Sequence, residues 1–266
     1  MMGTTVTTDT APKHSEALEE VRQYWNNHIH DWKVAESPPG TPEFFAEIEA
    51  YRFEKLHYLP RLVDFSGFRG ANLLEVGCGV ANDLSRFAKG GAIVTGIDLA
   101  QKSIELAKHN FAQRGLSGNF LVMDGENLGF PSDSFDAVYC HTVLHFTPDP
   151  AKMVREIHRV LKPNSAAILM TVNRRSWLNA MKVLANVEID HLDAPVFHQF
   201  SISEFQELLR PFSVARIQPE RFPVPTKVHS GFKARIYNTL FVGTFNAMPR
   251  QLVQSFGHHL MAFCQK

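Results

Sequence analysis

An apolar run that ends in an acid and then Gly-x-Gly carries the most chemistry in this sequence: Leu74-Glu75-Val76-Gly77-Cys78-Gly79. Glycines there let the backbone bend tightly and let a ligand approach with no Cβ in its way. The helix predicted to follow presents unpaired N–H groups to that ligand. Such a turn alone serves many nucleotides, and two residues narrow it. A carboxylate at Glu75 repels a pyrophosphate and suits a cation, and Asn82 stands where a dinucleotide fingerprint places its third glycine. Asp98 follows about 20 residues on, the usual place for an acid that grips ribose hydroxyls. Asp124 ends the next predicted strand, where it can accept from an adenine amino group. Each acid alone also suits a helix cap or a solvated loop. Together they converge on one edge of a sheet, where α/β topology places ligands.

Four histidines surround that edge. His141 and His145 lie in CHTVLHF just past a strand, and His28 and His30 lie in HIHDW, in a segment expected to fold over the cleft. Imidazoles that titrate near neutrality suit general-base work, in the order His145, His141, His30; for each, a structural role is the alternative. Trp25 and Trp32 flank HIHD and can stack on a flat substrate or the adenine, or hinge a packed cap. Arg52, Arg174 and Arg175 are candidates to pair with a substrate carboxylate or phosphate, with surface solvation as the alternative. The candidate substrate-binding set is Trp25, His28, Trp32, Arg52 and Arg174.

The elements that must position these groups follow from periodicity. Strands are predicted at 73–76, 92–97, 119–123, 135–140 and 166–172, alternating with helices at 81–89, 101–114 and 150–161. That rhythm implies an open, doubly wound α/β sheet. Residues 1–17 read as a disordered tail and 18–66 as a helical cap, whose second helix starts at Pro42 behind the capping residue Thr41. Residues 67–172 are the cofactor-binding core. Residues 173–266 form an insertion and the closing strands, with a helix at 203–209 capped by Ser201 or Ser203, a strand near 214–218, and a last strand in GHHLMAFCQK. Residues 219–250, rich in Phe, Pro and basic residues, resist a reading.

Composition excludes several classes. Among 266 residues, 44% are hydrophobic and 20% charged, as in globular chains. Lys+Arg and Asp+Glu both number 27, so nothing pulls the chain as a whole towards nucleic acid or anionic membranes. No apolar run is long enough to span a membrane. Three scattered cysteines argue against disulfides and against a zinc cluster, and no metal is expected. A cytoplasmic location is the expectation. The 21 Phe residues fill core, with some available to line a pocket.

In order and at natural spacing, LLEVGCG, GIDLAQKSIELAK, VMDGENLGFPSDSFDAVYCHTVLHFTPD and REIHRVLKPNSAAILM resemble the motifs of class I S-adenosylmethionine-dependent methyltransferases. HIHDWK and FGHHLM resemble a bacterial branch of the small-molecule, type 11 group. The resemblance covers about residues 70–172. It implies a Rossmann-like, seven-stranded, mostly parallel sheet whose last strand is antiparallel. It also implies S-adenosylmethionine as methyl donor and S-adenosylhomocysteine as product. Gly77, Cys78 and Gly79 would then pass beneath the methionine part, and Glu75 would orient its amino group. Asp98 would take the ribose hydroxyls with Leu99 beside the adenine, and Asp124 and Gly125 would meet the adenine edge. His141 would offer its backbone carbonyl to the ammonium. Two departures stand out. Ala81 replaces a common glycine, which a negative φ would accommodate, and Asn164-Ser165 replaces a Gly-Gly pair, where Asn tolerates left-handed backbone.

The expected function is direct, in-line methyl transfer to a small organic molecule, with no nucleic-acid partner. The oligomeric state is not legible. The rivals are a nucleic-acid or protein methyltransferase, a non-catalytic cofactor-binding protein, and an NAD(P)-dependent oxidoreductase, which Glu75 and Asn82 disfavour.

Overall fold

In the computed structural model, which describes residues 11–185, 191–223 and 237–266, the short apolar runs are strands and the amphipathic stretches between them are helices. The sheet is formed by β1 (Asn72–Val76), β2 (Ile93–Asp98), β3 (Asn119–Val122), β4 (Phe135–Cys140), β5 (Leu161–Val172), β6 (Val214–Glu220) and β7 (His259–Gln265). Among the described residues these seven strands lie in the order β3-β2-β1-β4-β5-β7-β6. The first five are parallel, and β7 runs antiparallel to both β5 and β6. Strand order reverses between β1 and β4, and that switch point leaves a crevice at the carboxyl ends.

Side chains alternate across each strand, so both faces of the parallel strands are apolar and both are covered. Leu74, Val76, Val138 and Leu169 pack under α6 (Pro150–Val160) and α8 (Ile202–Leu208). Leu73, Tyr139, Ile168 and Met170 pack under α4 (Asn82–Lys89) and α5 (Gln101–Gln113), in one cluster with Leu59 of the short helix α3 (Leu59–Leu62). The caps are local chemistry, each worth about 0.5–2 kcal/mol. Thr41 accepts from the Phe44 amide ahead of α2 (Pro42–Lys55), Asp149 accepts from the Lys152 amide, and Ser201 forms a reciprocal capping box with Glu204. Ser201, rather than Ser203, is thus the cap of α8.

Three local expectations change. The first helix, α1, spans Ala11–Asn27 and takes in part of the expected tail; residues 1–10 of that tail lie outside the described residues. α4 begins at Asn82, because Ala81 has φ 61° and ψ 38°, left-handed rather than the negative φ expected. β5 begins at Leu161, five residues early, and bends through Asn164 at φ 62°, the tolerance expected of Asn. In and just after the stretch that resisted a sequence reading, Phe222, Phe245 and Val253 form a small cluster of their own with Phe241 and with Trp177 at the start of α7 (Trp177–Ala185). Residues 224–236 there lie outside the described residues. All three cysteines are buried and free. No helix among the described residues is long and apolar enough to cross a membrane.

Candidate functional site

The carboxyl ends of β1, β2 and β4 open into a cleft of about 1080 Å³, continuous with solvent. Glu75, Gly77, Cys78, Gly79, Asp98, Leu99, Asp124, Gly125 and His141 all line it, so the fold brings the whole candidate cofactor set together. α1 roofs it with Leu18, Val21 and Trp25. Gly77 has φ +70°, and an added Cβ would lie 2.2 Å from Val143 Cγ2; at Gly79 (φ +53°) it would meet no protein atom within 4 Å. The turn is therefore bare towards the cleft at Gly79 and tightly packed at Gly77.

Asp98 is oriented by two amides: Gly79 N–H donates to Oδ2 and Ala100 N–H to Oδ1, each at 2.9 Å. Burial nevertheless pushes its pKa up. Asp124 accepts from the Glu126 amide at 2.9 Å. Asp83, which sequence reasoning missed, is also buried here. Burial works to raise its pKa, but Arg52 donates to both its oxygens at 2.7 and 2.5 Å, Tyr139 adds a hydroxyl at 2.8 Å, and the carboxyl is held below its ordinary value. Glu75 has no hydrogen-bonded cation among the described residues, and the Arg52 charge lowers its pKa only in part. Burial first, then the charge of Asp83, hold it well above the usual carboxylate range, and Oε2 is buried without a hydrogen-bond partner. Burial and the neighbouring Asp98 and Glu75 charges likewise keep the Cys78 thiol protonated. A buried acid with no hydrogen-bonded cation, beside a turn lacking a Cβ, fits a cationic nucleoside and suits a pyrophosphate poorly.

A second cavity, about 870 Å³ with the solvent-open space at its mouth included, adjoins the cleft and shares His30, Asp31, Arg52, Thr142 and Phe146 with it. Its remaining lining includes Tyr51, Lys55, His145, Phe197, Arg221, His258 and His259. The three base candidates divide. His141 is buried with both ring nitrogens engaged, Nδ1 3.2 Å from Arg52 Nη2 and Nε2 3.1 Å from the Tyr58 hydroxyl. Its backbone carbonyl accepts from Thr142 Oγ1 at 2.5 Å, leaving one lone pair for a ligand. His145 opens onto the second cavity, with Nδ1 buried and unpartnered; burial and neighbouring histidines lower its pKa to about 3, which makes it a weak base. His30 lines both cavities, with Nδ1 3.2 Å from Asp31 Oδ1 though not aligned for a hydrogen bond. Asp31 is ionised: burial opposes this, but His30 and Lys55 hold its pKa well below the ordinary value.

Of the candidate substrate residues, Trp25 lies in the cleft, parallel to the His30 ring and edge-on to Phe146. Arg52 faces both cavities but is committed to Asp83. The other three are elsewhere. His28 stacks on Tyr24 and contacts the Tyr24 carbonyl, Trp32 is 37% exposed, and exposed Arg174 pairs with Glu204 at 3.0 Å and the Gln199 carbonyl at 2.8 Å. Arg175 is exposed as well. Tyr58, Arg221, His258 and His259 were missed. The paired histidines at the start of the closing strand were the available signal.

Residues 74–169 match the family model described as a methyltransferase domain, type 11. The seven-stranded, mostly parallel sheet has the Rossmann-like fold of the methyltransferase structures that the chain resembles. Over 106 residues the chain is 35% identical to the ubiquinone biosynthesis O-methyltransferase of Coxiella burnetii, covering 40% of this chain and 45% of that protein. A Haemophilus ducreyi protein of the same name is 33% identical over 114 residues, 41% of this chain and 48% of its own. The chain thus spans about half the length of the curated relatives it matches. A Thermotoga maritima structure described as an S-adenosylmethionine-dependent methyltransferase, possible histamine N-methyltransferase, aligns over 92% of this chain and 99% of its own at 16% identity and TM-score 0.61. The [4+2]-cyclase SpnF aligns over 100% and 99% at 19% identity and TM-score 0.53.

Proposed function

We propose that the protein is a cytoplasmic enzyme that transfers a methyl group from S-adenosylmethionine to a small organic molecule by direct displacement. The observation that carries this reading is Glu75 Oε2, a buried acid oxygen with no partner in a cleft where Asp98 and Asp124 are already oriented by amides and Asp83 by Arg52. S-Adenosylmethionine, when bound, supplies a methyl activated by a sulfonium. Glu75 would hold the cationic end, Asp98 the ribose hydroxyls, and Asp124 and Gly125 the adenine edge. Trp25 and Phe146 would exclude water above the turn. For an acceptor that must lose a proton, His30, set beside ionised Asp31 on the wall common to both cavities, is the base that geometry favours. Holding the acceptor in line is the larger part of the work, and orientation alone can lower a barrier by about 7–11 kcal/mol.

The names of the relatives support an oxygen acceptor, and the cyclase on the same fold makes methyl transfer itself the property to measure. Titration calorimetry with S-adenosylhomocysteine should show saturable binding, weakened roughly 10- to 100-fold in Asp98→Ala. Radiolabelled S-adenosylmethionine and a metabolite extract should yield a labelled small molecule. Well-folded protein that binds NADH and not the nucleoside would overturn the reading. Binding with no labelled product from any extract would replace it with a non-methylating use of the fold.

A further inference from the structure

The charges of the second cavity are matched except at one place. Arg52 is paired with Asp83 and Lys55 with Asp31. Among the described residues no carboxylate contacts Arg221; its side chain meets His259, with Nη1 3.2 Å from Nε2. The Arg221 backbone is left-handed at φ 57°, a conformation L residues rarely adopt. It is pinned there by the Trp177 indole N–H, which donates to its carbonyl at 2.7 Å. The fold therefore holds this guanidinium at the wall of a cavity whose described lining offers one carboxylate, Asp31, already paired with Lys55.

Proton positions give that guanidinium a purpose. Five side chains join the cavities end to end: Arg52–His141–Tyr58–His259–Arg221, with successive contacts of 3.2, 3.1, 2.5 and 3.2 Å. Both ends are guanidiniums, which only donate. Each makes the facing imidazole nitrogen an acceptor, so each neutral imidazole aims its N–H at Tyr58. The Tyr58 oxygen then receives two donors, and its own proton has no acceptor in the chain. Burial keeps Tyr58 protonated, and burial together with the Arg221 charge keeps His259 neutral, so ionisation does not remove the conflict. One end must let go. Arg52 is held by two bonds to Asp83, whereas Arg221 has no such hold. If a carboxylate took the Arg221 N–H groups, the His259 proton could sit on Nε2 and donate to the same carboxylate. His259 Nδ1 would then accept from Tyr58, Tyr58 would accept from His141, and every contact would be satisfied.

We propose that Arg221 and His259 together bind the carboxylate of the methyl acceptor in the second cavity, so that the acceptor is a small carboxylic acid with an apolar body. One guanidinium fork and one imidazole N–H match a planar monoanion, and Phe146, Phe197, Leu178 and Val172 supply the apolar wall. Only the word acceptor rests on the methyl-transfer reading; the anion site does not.

Benzoate and cinnamate, compared with their amides, test the site by titration calorimetry on protein saturated with S-adenosylhomocysteine. Both acids should bind at least about tenfold more tightly than their amides. Arg221→Gln should erase that preference with S-adenosylhomocysteine affinity unchanged, and Arg221→Lys should retain part of it. Equal binding of acid and amide, binding of neither, or an undiminished preference in Arg221→Gln overturns the proposal. If the nucleoside does not bind wild-type protein, the same comparison without it still decides the anion site, so the two readings fail separately. Should Arg221→Gln not fold, imidazole nitrogen NMR on wild-type protein decides instead. The His259 proton should move from Nδ1 to Nε2 on adding benzoate, and a fixed tautomer overturns the proposal.

Discussion

The two cavities share the His30, Asp31, Arg52, Thr142 and Phe146 wall, yet their electrostatics are opposite. On the side of the glycine turn, Glu75, Asp98 and Asp124 face the cleft, and Oε2 of the most deeply perturbed acid, Glu75, has no partner. On the other side, histidines held neutral by burial surround one unmatched guanidinium. Leaving a guanidinium unpaired, or forcing a buried acid to keep its proton, costs free energy, so neither arrangement serves the free protein. The contrast fits a cationic donor and an anionic acceptor that enter by separate sides and meet at the shared wall. It also locates the chemistry: a proton leaving the acceptor should leave near that wall, at His30.

The largest effect expected from this contrast is therefore on turnover. For an acceptor that loses a proton, His30→Ala should lower kcat by roughly 10²–10⁴ while leaving S-adenosylhomocysteine affinity nearly unchanged. Asp31→Asn should fall between that variant and wild type. An unaffected kcat in steady-state kinetics would mean that no proton leaves at the shared wall. Next in size is Gly77→Ala, whose Cβ would press on Val143 in a left-handed backbone. Strain and overpacking together should cost about 2–5 kcal/mol in urea denaturation. Gly79→Ala, with open space at its Cβ, should cost about 1–2 kcal/mol of stability and show its main effect as lost nucleoside affinity. Loss of the benzoate-over-benzamide preference in Gly79→Ala would break the claimed independence of the two sides.

Glu75→Gln sharpens the acid side. The carboxyl is raised in the folded protein by burial and by Asp83. For an acid with a raised folded pKa, the native state binds the extra proton. Its stabilising contribution is full below the unfolded pKa and is lost as pH rises through the folded one. The amide needs no proton, so Glu75→Gln should stabilise the free protein near neutrality by about 1 kcal/mol or more while weakening nucleoside binding. Binding a cation should expel the Glu75 proton. Wild-type affinity should therefore tighten as pH rises from the ordinary carboxylate range towards the raised value, with proton release seen by calorimetry in buffers of different ionisation enthalpy. Equal proton release from wild type and Glu75→Gln would assign the proton elsewhere.

The same contrast explains what could be read from the chain. The acid side is local: strand, turn and helix follow one another in sequence, so Glu75, Gly77, Gly79, Asp98 and Asp124 were legible from spacing. The cationic side is assembled from distant segments. Tyr58 and His259 touch across 201 positions, and no periodicity announces such a pair. Charge alone misled as well, because Arg52 and Arg174 looked available for substrate and are instead bound to Asp83 and Glu204. His258 and His259 were visible only as the start of a closing strand. Arg221 sat in a stretch whose composition supported no reading.

The smallest expected effect concerns a local misreading, Ala81. It is fully buried at φ 61°, where the left-handed backbone costs an L residue about 1–2 kcal/mol. Ala81→Gly removes that strain, but glycine loses more backbone entropy on folding, about 0.4–1 kcal/mol, and forfeits a buried methyl worth about 0.8 kcal/mol. These terms nearly cancel, so Ala81→Gly should change stability by less than about 1 kcal/mol. Ala81→Val, β-branched in the same conformation, should destabilise clearly more. Urea denaturation measures both, and calorimetry with S-adenosylhomocysteine gives the result its meaning. A gain well above 1 kcal/mol in Ala81→Gly, coupled to weaker nucleoside binding, would show that the turn itself stores strain for the ligand. Unchanged stability and affinity would leave Glu75 as the group on the acid side whose cost in the free protein serves binding.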